Sequence, residues 1–197
     1  MFWSYNFDRR ENEPLQHYTF EQGFTEEELK KIDKDIQDVA PSKATTLGEQ
    51  SDSIRISKVR WIQQDSKWEW LYKRLQVMIQ EANDALWQFE LVSMPEQIQF
   101  TEYHANEKGH YNWHQDIGTG IASCRKVSVT VQLSVPDDYE GGDLQLTHGG
   151  PHELAYTAPK KAGSVTIFPS YMLHRVKPIT KGIRKSFVLW VGGTPFK

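Results

Sequence analysis

Lys126-Val127-Ser128-Val129-Thr130-Val131-Gln132-Leu133 alternates polar and apolar side chains without a break, the period-two pattern of a β-strand whose faces meet different surroundings. Phe187, Leu189 and Val191 alternate in the same way with Arg184, Ser186, Val188 and Trp190. A half-exposed antiparallel strand turns its polar side to water. A solvent face seldom carries a valine and a tryptophan together, so Val188 and Trp190 beside Arg184 favour a second arrangement. In it the apolar faces pack under helices, and the polar faces point into a barrel that holds a polar ligand.

Around these segments the second half of the chain reads as short strands divided by turns. Candidate strands are 97–103, 111–115, 125–134, 143–147, 164–168, 173–176 and 186–191. Between them lie Pro136-Asp137-Asp138, Gly141-Gly142, Gly149-Gly150-Pro151, Gly163 and Lys181-Gly182, residue types that supply turn geometry. The first half differs. Thr25-Glu26-Glu27-Glu28 has the capping-box pattern, ahead of Leu29, Ile32, Ile36 and Val39 at helical spacing, with Pro41 as the stop. Ser66-Lys67-Trp68-Glu69 repeats the pattern, and Trp68, Leu71, Leu75, Ile79, Ala82 and Leu86 then share one face. Residues 53–62 read as a strand between the helices, and the polar stretch 45–53 as a loop. The expectation is a mainly β sandwich or barrel in one domain, 1–197, with two N-terminal helices on one outer face. Helical support extends to about residue 96, and the strand-built core runs over 97–197.

The bulk numbers remove several function classes. With 197 residues the chain can bury a single core. Cys124 is the only cysteine, which excludes an internal disulfide framework and thiolate-rich metal sites. A net charge of −3 and the lack of a Lys/Arg run argue against a nucleic-acid partner. Residues 1–12 lack the basic-then-apolar pattern of a secretion signal, and no segment approaches the ~18 apolar residues of a membrane span. A cytoplasmic protein that does not enter a membrane is expected.

His114-Gln115-Asp116, answered 58 positions later by His174, carries the chemistry. On a strand, residues two apart point the same way, so His114 and Asp116 present an imidazole and a carboxylate side by side. Two histidines and one carboxylate form a facial triad that leaves open positions on a metal. The donors suit iron, manganese or zinc, and without a cysteine ligand iron(II) is preferred. His-x-Asp alone is a short pattern that chance supplies often. His104, His110, His148 and His152 have no such setting and read as surface or loop histidines. Arg184 strengthens the pattern: a guanidinium in an apolar strand needs a partner, and its planar fork matches a carboxylate. Ser186 faces the same way and could add a hydroxyl bond. The competing reading pairs Arg184 with a protein carboxylate such as Glu102.

Together these segments resemble the iron(II)- and 2-oxoglutarate-dependent dioxygenases, in the prolyl 4-hydroxylase-like branch. The resemblance runs from about Gln97 to Lys197. It rests on Tyr103, on Gly109-His110-Tyr111-Asn112-Trp113-His114-Gln115-Asp116, and on Arg125 to Leu133. It rests further on Asp137-Asp138-Tyr139-Glu140-Gly141-Gly142-Asp143-Leu144, and on Ala162 to Pro169 leading to His174-Arg175-Val176. It implies a double-stranded β-helix, a cupin-like jelly roll, with His114, Asp116 and His174 on the metal. The co-substrate 2-oxoglutarate would place its far carboxylate on Arg184, assisted by Tyr103 and by Thr130 or Ser186. Oxygen would be consumed, succinate released and a peptidyl or free amino acid hydroxylated, prolyl first, with ascorbate as a reductant. Collagen-type hydroxylases of the family carry lysine where Arg184 stands, which turns the expectation away from collagen-like substrates. Trp190 resembles an aromatic that borders substrate in peptidyl-prolyl hydroxylases, and Trp61, Trp113 and Arg60 could line the mouth. Any one of seven tryptophans is more often core. Two other readings are a nucleic-acid demethylase on the same scaffold and a non-catalytic cupin-like metal-binding module. The oligomeric state is not legible.

Overall fold

The computed structural model describes residues 16–43, 54–149 and 152–194. The expected loop at 45–53 and part of the Gly149-Gly150-Pro151 turn lie outside the described residues. In chain order the elements are β1 (Tyr18–Phe20), α1 (Glu26–Asp35), β2 (Pro41–Lys43), β3 (Arg55–Ile56), β4 (Lys58–Ile62), α2 (Glu69–Ala82), β5 (Leu91–Ser93), β6 (Ile98–His104) and β7 (His110–His114). Then come β8 (Arg125–Gln132), β9 (Tyr139–Gly141), β10 (Leu144–Thr147), β11 (Tyr156–Thr157), β12 (Val165–Pro169), β13 (Leu173–Val176) and β14 (Ile179–Gly193).

All strand pairs are antiparallel. A major sheet has the order β1-β12-β8-β14-β6-β4-β2, with β5 and β9 also paired to β14, and a minor sheet has the order β11-β10-β13-β7-β3. Two antiparallel sheets of interleaved order make the expected jelly roll. The N-terminal half adds more than helices: β1, β2 and β4 extend the major sheet, and β3 edges the minor one. Among the described residues no helix is long and apolar enough to cross a membrane.

The two faces of the major sheet divide as the alternation requires. Val127, Val129 and Val131 of β8 and Phe187, Leu189 and Val191 of β14 join Leu71, Leu75 and Ile79 of α2 and Ile32 of α1 in one buried cluster. Each such side chain removed from water contributes about 1.5–3 kcal/mol. The opposite face carries Ser128, Thr130, Gln132, Thr101, Ser186 and Arg184, all buried. Cross-strand register keeps them together, since Ser186 lies opposite Gln132 and Thr101, and Trp190 opposite Ser128. Leu144, Leu146, Phe168 and Val176 form a second cluster.

α1 starts at its expected box: Thr25 Oγ1 accepts from the Glu28 amide at 3.2 Å, and Glu28 Oε2 accepts from the Thr25 amide at 2.8 Å. The second box does not form. Asp65 Oδ1 accepts from the Lys67 and Trp68 amides at 2.9 and 3.1 Å, because an ionised carboxylate one residue earlier is a stronger acceptor than the Ser66 hydroxyl. Lys181-Gly182 does not end a strand either; β14 runs through it for 15 residues. Gly182 has φ +70°, and a Cβ there would meet Asp138 O at 1.9 Å. Its turn chemistry makes a kink, with β9 shifting register beside it.

Candidate metal centre and co-substrate recess

His114 ends β7 and lies directly opposite His174 of β13 in the minor sheet. Asp116 does not sit on that strand. β7 stops at His114, so the expected side-by-side presentation by strand alternation is corrected: loop contacts hold the carboxylate instead. The Asp116 amide donates to Ser170 O at 2.9 Å, and the Asp116 carbonyl accepts from Arg125 Nη1 at 3.0 Å. Ser128 Oγ donates to Asp116 Oδ2 at 2.7 Å and contacts Ser170 Oγ at 2.9 Å.

The three side chains converge all the same. One ligand atom from each lies within 4.8 Å of the others. His114 Nε2 is 3.7 Å from Asp116 Oδ1, and His174 Nε2 is 3.4 Å from Asp116 Oδ2. Ligands held about 2.1 Å from one metal at right angles stand roughly 3 Å apart, so the spacing suits a shared cation with little closure. Each imidazole faces its Nδ1 to a backbone carbonyl, His114 to Asn112 O at 2.7 Å and His174 to Met172 O at 2.9 Å. A carbonyl cannot donate, so Nδ1 carries the hydrogen and each Nε2 lone pair is left for a metal.

Electrostatics agree with the donor set. Burial, with His174 close by, pushes His114 down to about 3, so it is neutral and ligand-ready at ordinary pH. Burial alone would raise the Asp116 carboxyl, but His174, His114 and the Ser128 hydroxyl hold it below the usual range. A bulge in the β7–β13 pairing lets Tyr111 stack on His114, ring centroids 3.5 Å apart and 14° from parallel. Burial pushes the Tyr111 phenol up to about 12, so it stays protonated.

Arg184 faces the same interior, 3% exposed, opposite Tyr103 in the register of β14 with β6. Its guanidinium carbon is 5.8 Å from the Tyr103 ring centroid, and Nη1 donates to Ser186 Oγ at 3.4 Å. Glu102 lies opposite Lys185 in the strand register, on the other face from Arg184, and no ion pair among the described residues involves Arg184. The recess beside Arg184 is lined by Thr130, Gln132, Tyr139, Lys160 and Thr166. Gly142 keeps it open, because a Cβ there would press to 3.0 Å from Arg184 Cδ.

The remaining expected residues separate. Trp190 is buried on the site face, 6.5 Å from the Trp61 ring, and the Arg125 guanidinium lies 3.9 Å over it. Its indole N–H has no hydrogen bond of normal geometry, yet it fronts Asp116 closely enough to favour the charged carboxylate. Trp113 is half-buried and carries the Arg175 guanidinium at 4.6 Å. Arg60 lies on the helix face of β4, where Nη1 donates to Val39 O at 2.6 Å. Neither is brought to the triad. Gln132, which donates to the Tyr139 hydroxyl at 3.1 Å, and Ser128 were missed as site residues, although their parity on β8 marks them. Lys160, between Asp143 and Gly141 O, had no sequence signal.

Residues 98–192, from β6 to the end of β14, match the family described as the 2OG-Fe(II) oxygenase superfamily, where 2OG is 2-oxoglutarate. Over this stretch the chain is similar to the members of that superfamily. A PKHD-type hydroxylase of Synechococcus elongatus is 39% identical over 140 residues, covering 68% of this chain and 60% of that protein. One from Stenotrophomonas maltophilia is 36% identical over 89 residues, 42% of this chain and 38% of that protein. The chain thus spans about 60% of the length of the first curated relatives it matches. In fold it is similar to a Trichoplax adhaerens prolyl hydroxylase in complex with a hypoxia inducible factor oxygen degradation domain peptide fragment. The TM-score is 0.75 at 18% identity, with 90% of this chain and 83% of that one covered. A Pseudomonas putida prolyl-4-hydroxylase gives 0.63 at 18% identity, with 91% and 94% covered. The triad, Tyr103 and Arg184 all fall inside the matched residues.

Proposed function

We propose that the chain, residues 1–197, acts as one catalytic domain: an iron(II)- and 2-oxoglutarate-dependent dioxygenase that hydroxylates a peptidyl amino acid, proline first. The observation that carries this is Arg184, a buried guanidinium without a carboxylate partner among the described residues, facing the same interior as a His-Asp-His cluster. His114, Asp116 and His174 hold the metal through Nε2, a carboxylate oxygen and Nε2. Arg184 takes the far carboxylate of 2-oxoglutarate by its fork, with Ser186 fixing one nitrogen and Tyr103 and Thr130 completing the wall. Bound iron(II) supplies the oxidising chemistry: 2-oxoglutarate and oxygen become succinate and carbon dioxide, while one oxygen atom enters a substrate C–H bond.

The protein's own part is placement and dryness. The Nδ1 bonds orient both imidazoles with Nε2 toward the metal, Ser128 aims Asp116, and buried Trp190 and Phe168 keep bulk water from the reacting side. The Trichoplax neighbour solved with a peptide supports a peptidyl substrate, and the PKHD-type relatives support hydroxylation. Ascorbate is proposed as the reductant that keeps iron ferrous, in the reducing cytoplasm. The test is anaerobic addition of iron(II) and 2-oxoglutarate, which should give the weak visible charge-transfer band of the chelate. Succinate release with prolyl peptides, free proline and a methylated oligonucleotide then ranks the substrates. A folded, metal-loaded sample that shows no band refutes the proposal.

A further inference from the structure

We propose that Glu96 and Arg125 form a positioning clamp that sets the Asp116 carboxylate at the metal centre, a role that rests on the metal reading above. Asp116 lies two residues beyond the end of β7, so sheet pairing does not hold it. Its backbone is gripped from two sides, by Ser170 O on the amide and by Arg125 Nη1 on the carbonyl. Of these grips only Arg125 is charged.

Arg125 starts β8 and is 7% exposed. Its planar fork divides: Nη1 goes to Asp116, while Nε and Nη2 go to the two oxygens of Glu96, Nε to Oε2 at 2.6 Å. The same plane lies 3.9 Å over Trp190, the indole that fronts Asp116. One guanidinium therefore fixes the ligand's backbone and the ring beside its carboxylate together, which a lysine point charge cannot do. Glu96, 29 residues earlier in the chain, fixes the guanidinium in turn. It precedes β6, outside the residues that match the superfamily.

A buried ion pair adds little stability over an apolar pair of the same shape, so its value here is geometric. Losing a partner that orients a ligand typically lowers metal affinity about 10–100-fold. The experiment titrates Co(II) into the metal-free full-length protein by calorimetry, follows its visible bands, and records thermal unfolding before metal is added. The variants are Arg125→Lys, the paired Glu96→Gln/Arg125→Met, and His174→Ala as the metal-site control. Arg125→Lys and the paired variant should bind Co(II) about tenfold or more weakly, with altered bands. The paired variant, with neither charge of the pair left, should unfold within a few degrees of wild type. A merely structural pair gives the opposite: stability and Co(II) affinity recover together, which overturns the clamp. If the paired variant does not fold, Arg125→Lys decides, and wild-type affinity with unchanged bands overturns the clamp. Wild-type protein that binds no Co(II) sensitive to His174→Ala overturns the metal reading itself, so the two failures are distinct.

Discussion

Arg184→Met should move stability and co-substrate binding in opposite directions. The guanidinium is buried on β14, bonded to Ser186 Oγ at 3.4 Å, with no ion-pair partner among the described residues. A buried charge lacking a counter-charge costs the fold several kcal/mol, and methionine keeps most of the unbranched stem beside Gly142. The substitution should therefore stabilise the ligand-free protein by about 1–3 kcal/mol, about 2–4 °C of midpoint for each kcal/mol in a chain of this size. Binding goes the other way. Hydrogen bonds to charged groups contribute about 1.5–3 kcal/mol each, so losing both arms of a bidentate contact weakens 2-oxoglutarate by roughly 100-fold or more. The assay is anaerobic thermal unfolding with Mn(II), with and without 2-oxoglutarate. Ligand at 100 times Kd adds about 2.7 kcal/mol to wild type and next to nothing to the variant, so ligand should raise the wild-type midpoint and leave that of the variant almost unmoved. A variant that unfolds earlier than wild type without ligand would show that Arg184 is structural. An unchanged ligand-induced shift would remove it from the recess.

Three further outcomes follow from the same geometry. Ser128→Ala removes the 2.7 Å bond to Asp116 Oδ2 and should weaken metal binding about tenfold, measured by Mn(II) titration; unchanged affinity would count against Ser128 as an orienting group. Because burial lowers His114 from 6.5 to about 3, the unfolded chain binds protons that the folded one refuses. Metal-free stability should hold above pH 6.5 and fall as pH drops from there toward 3, and urea melts flat between pH 7 and 4 would contradict this. Trp113→Ala and Arg60→Ala should leave the KM for 2-oxoglutarate and for peptide unchanged. Arg60→Ala should also cost about 1 kcal/mol through its lost bond to Val39 O, and a tenfold KM change in either would restore it to the mouth.

Parity along a strand was the legible part of the site. In β8 and β14 it separated Val127, Val129, Phe187 and Leu189 from Ser128, Thr130, Arg184 and Ser186, and both sets lie where that separation puts them. Parity failed where hydrogen bonding broke the period. The bulge in β7 brought Tyr111 onto His114, and the end of β7 left Asp116 to loop contacts. It was also mute for Arg60, because the face of β4 that meets the interior depends on its register with β6.

By itself, then, the sequence determined which side chains share a face, which residues could ligate a metal, and that helices cap one side of a β-built core. These follow from local periodicity and from donor chemistry, which need no distant partner. Tertiary structure decided the rest: that Asp65 and not Ser66 takes the amides of the turn leading into α2, that Glu102 turns away from Arg184, and that Glu96 reaches Arg125 across 29 residues to steady Asp116. The physical reason is that a buried charge or carbonyl takes whatever partner the packed fold brings within reach, and sequence distance carries no trace of that choice.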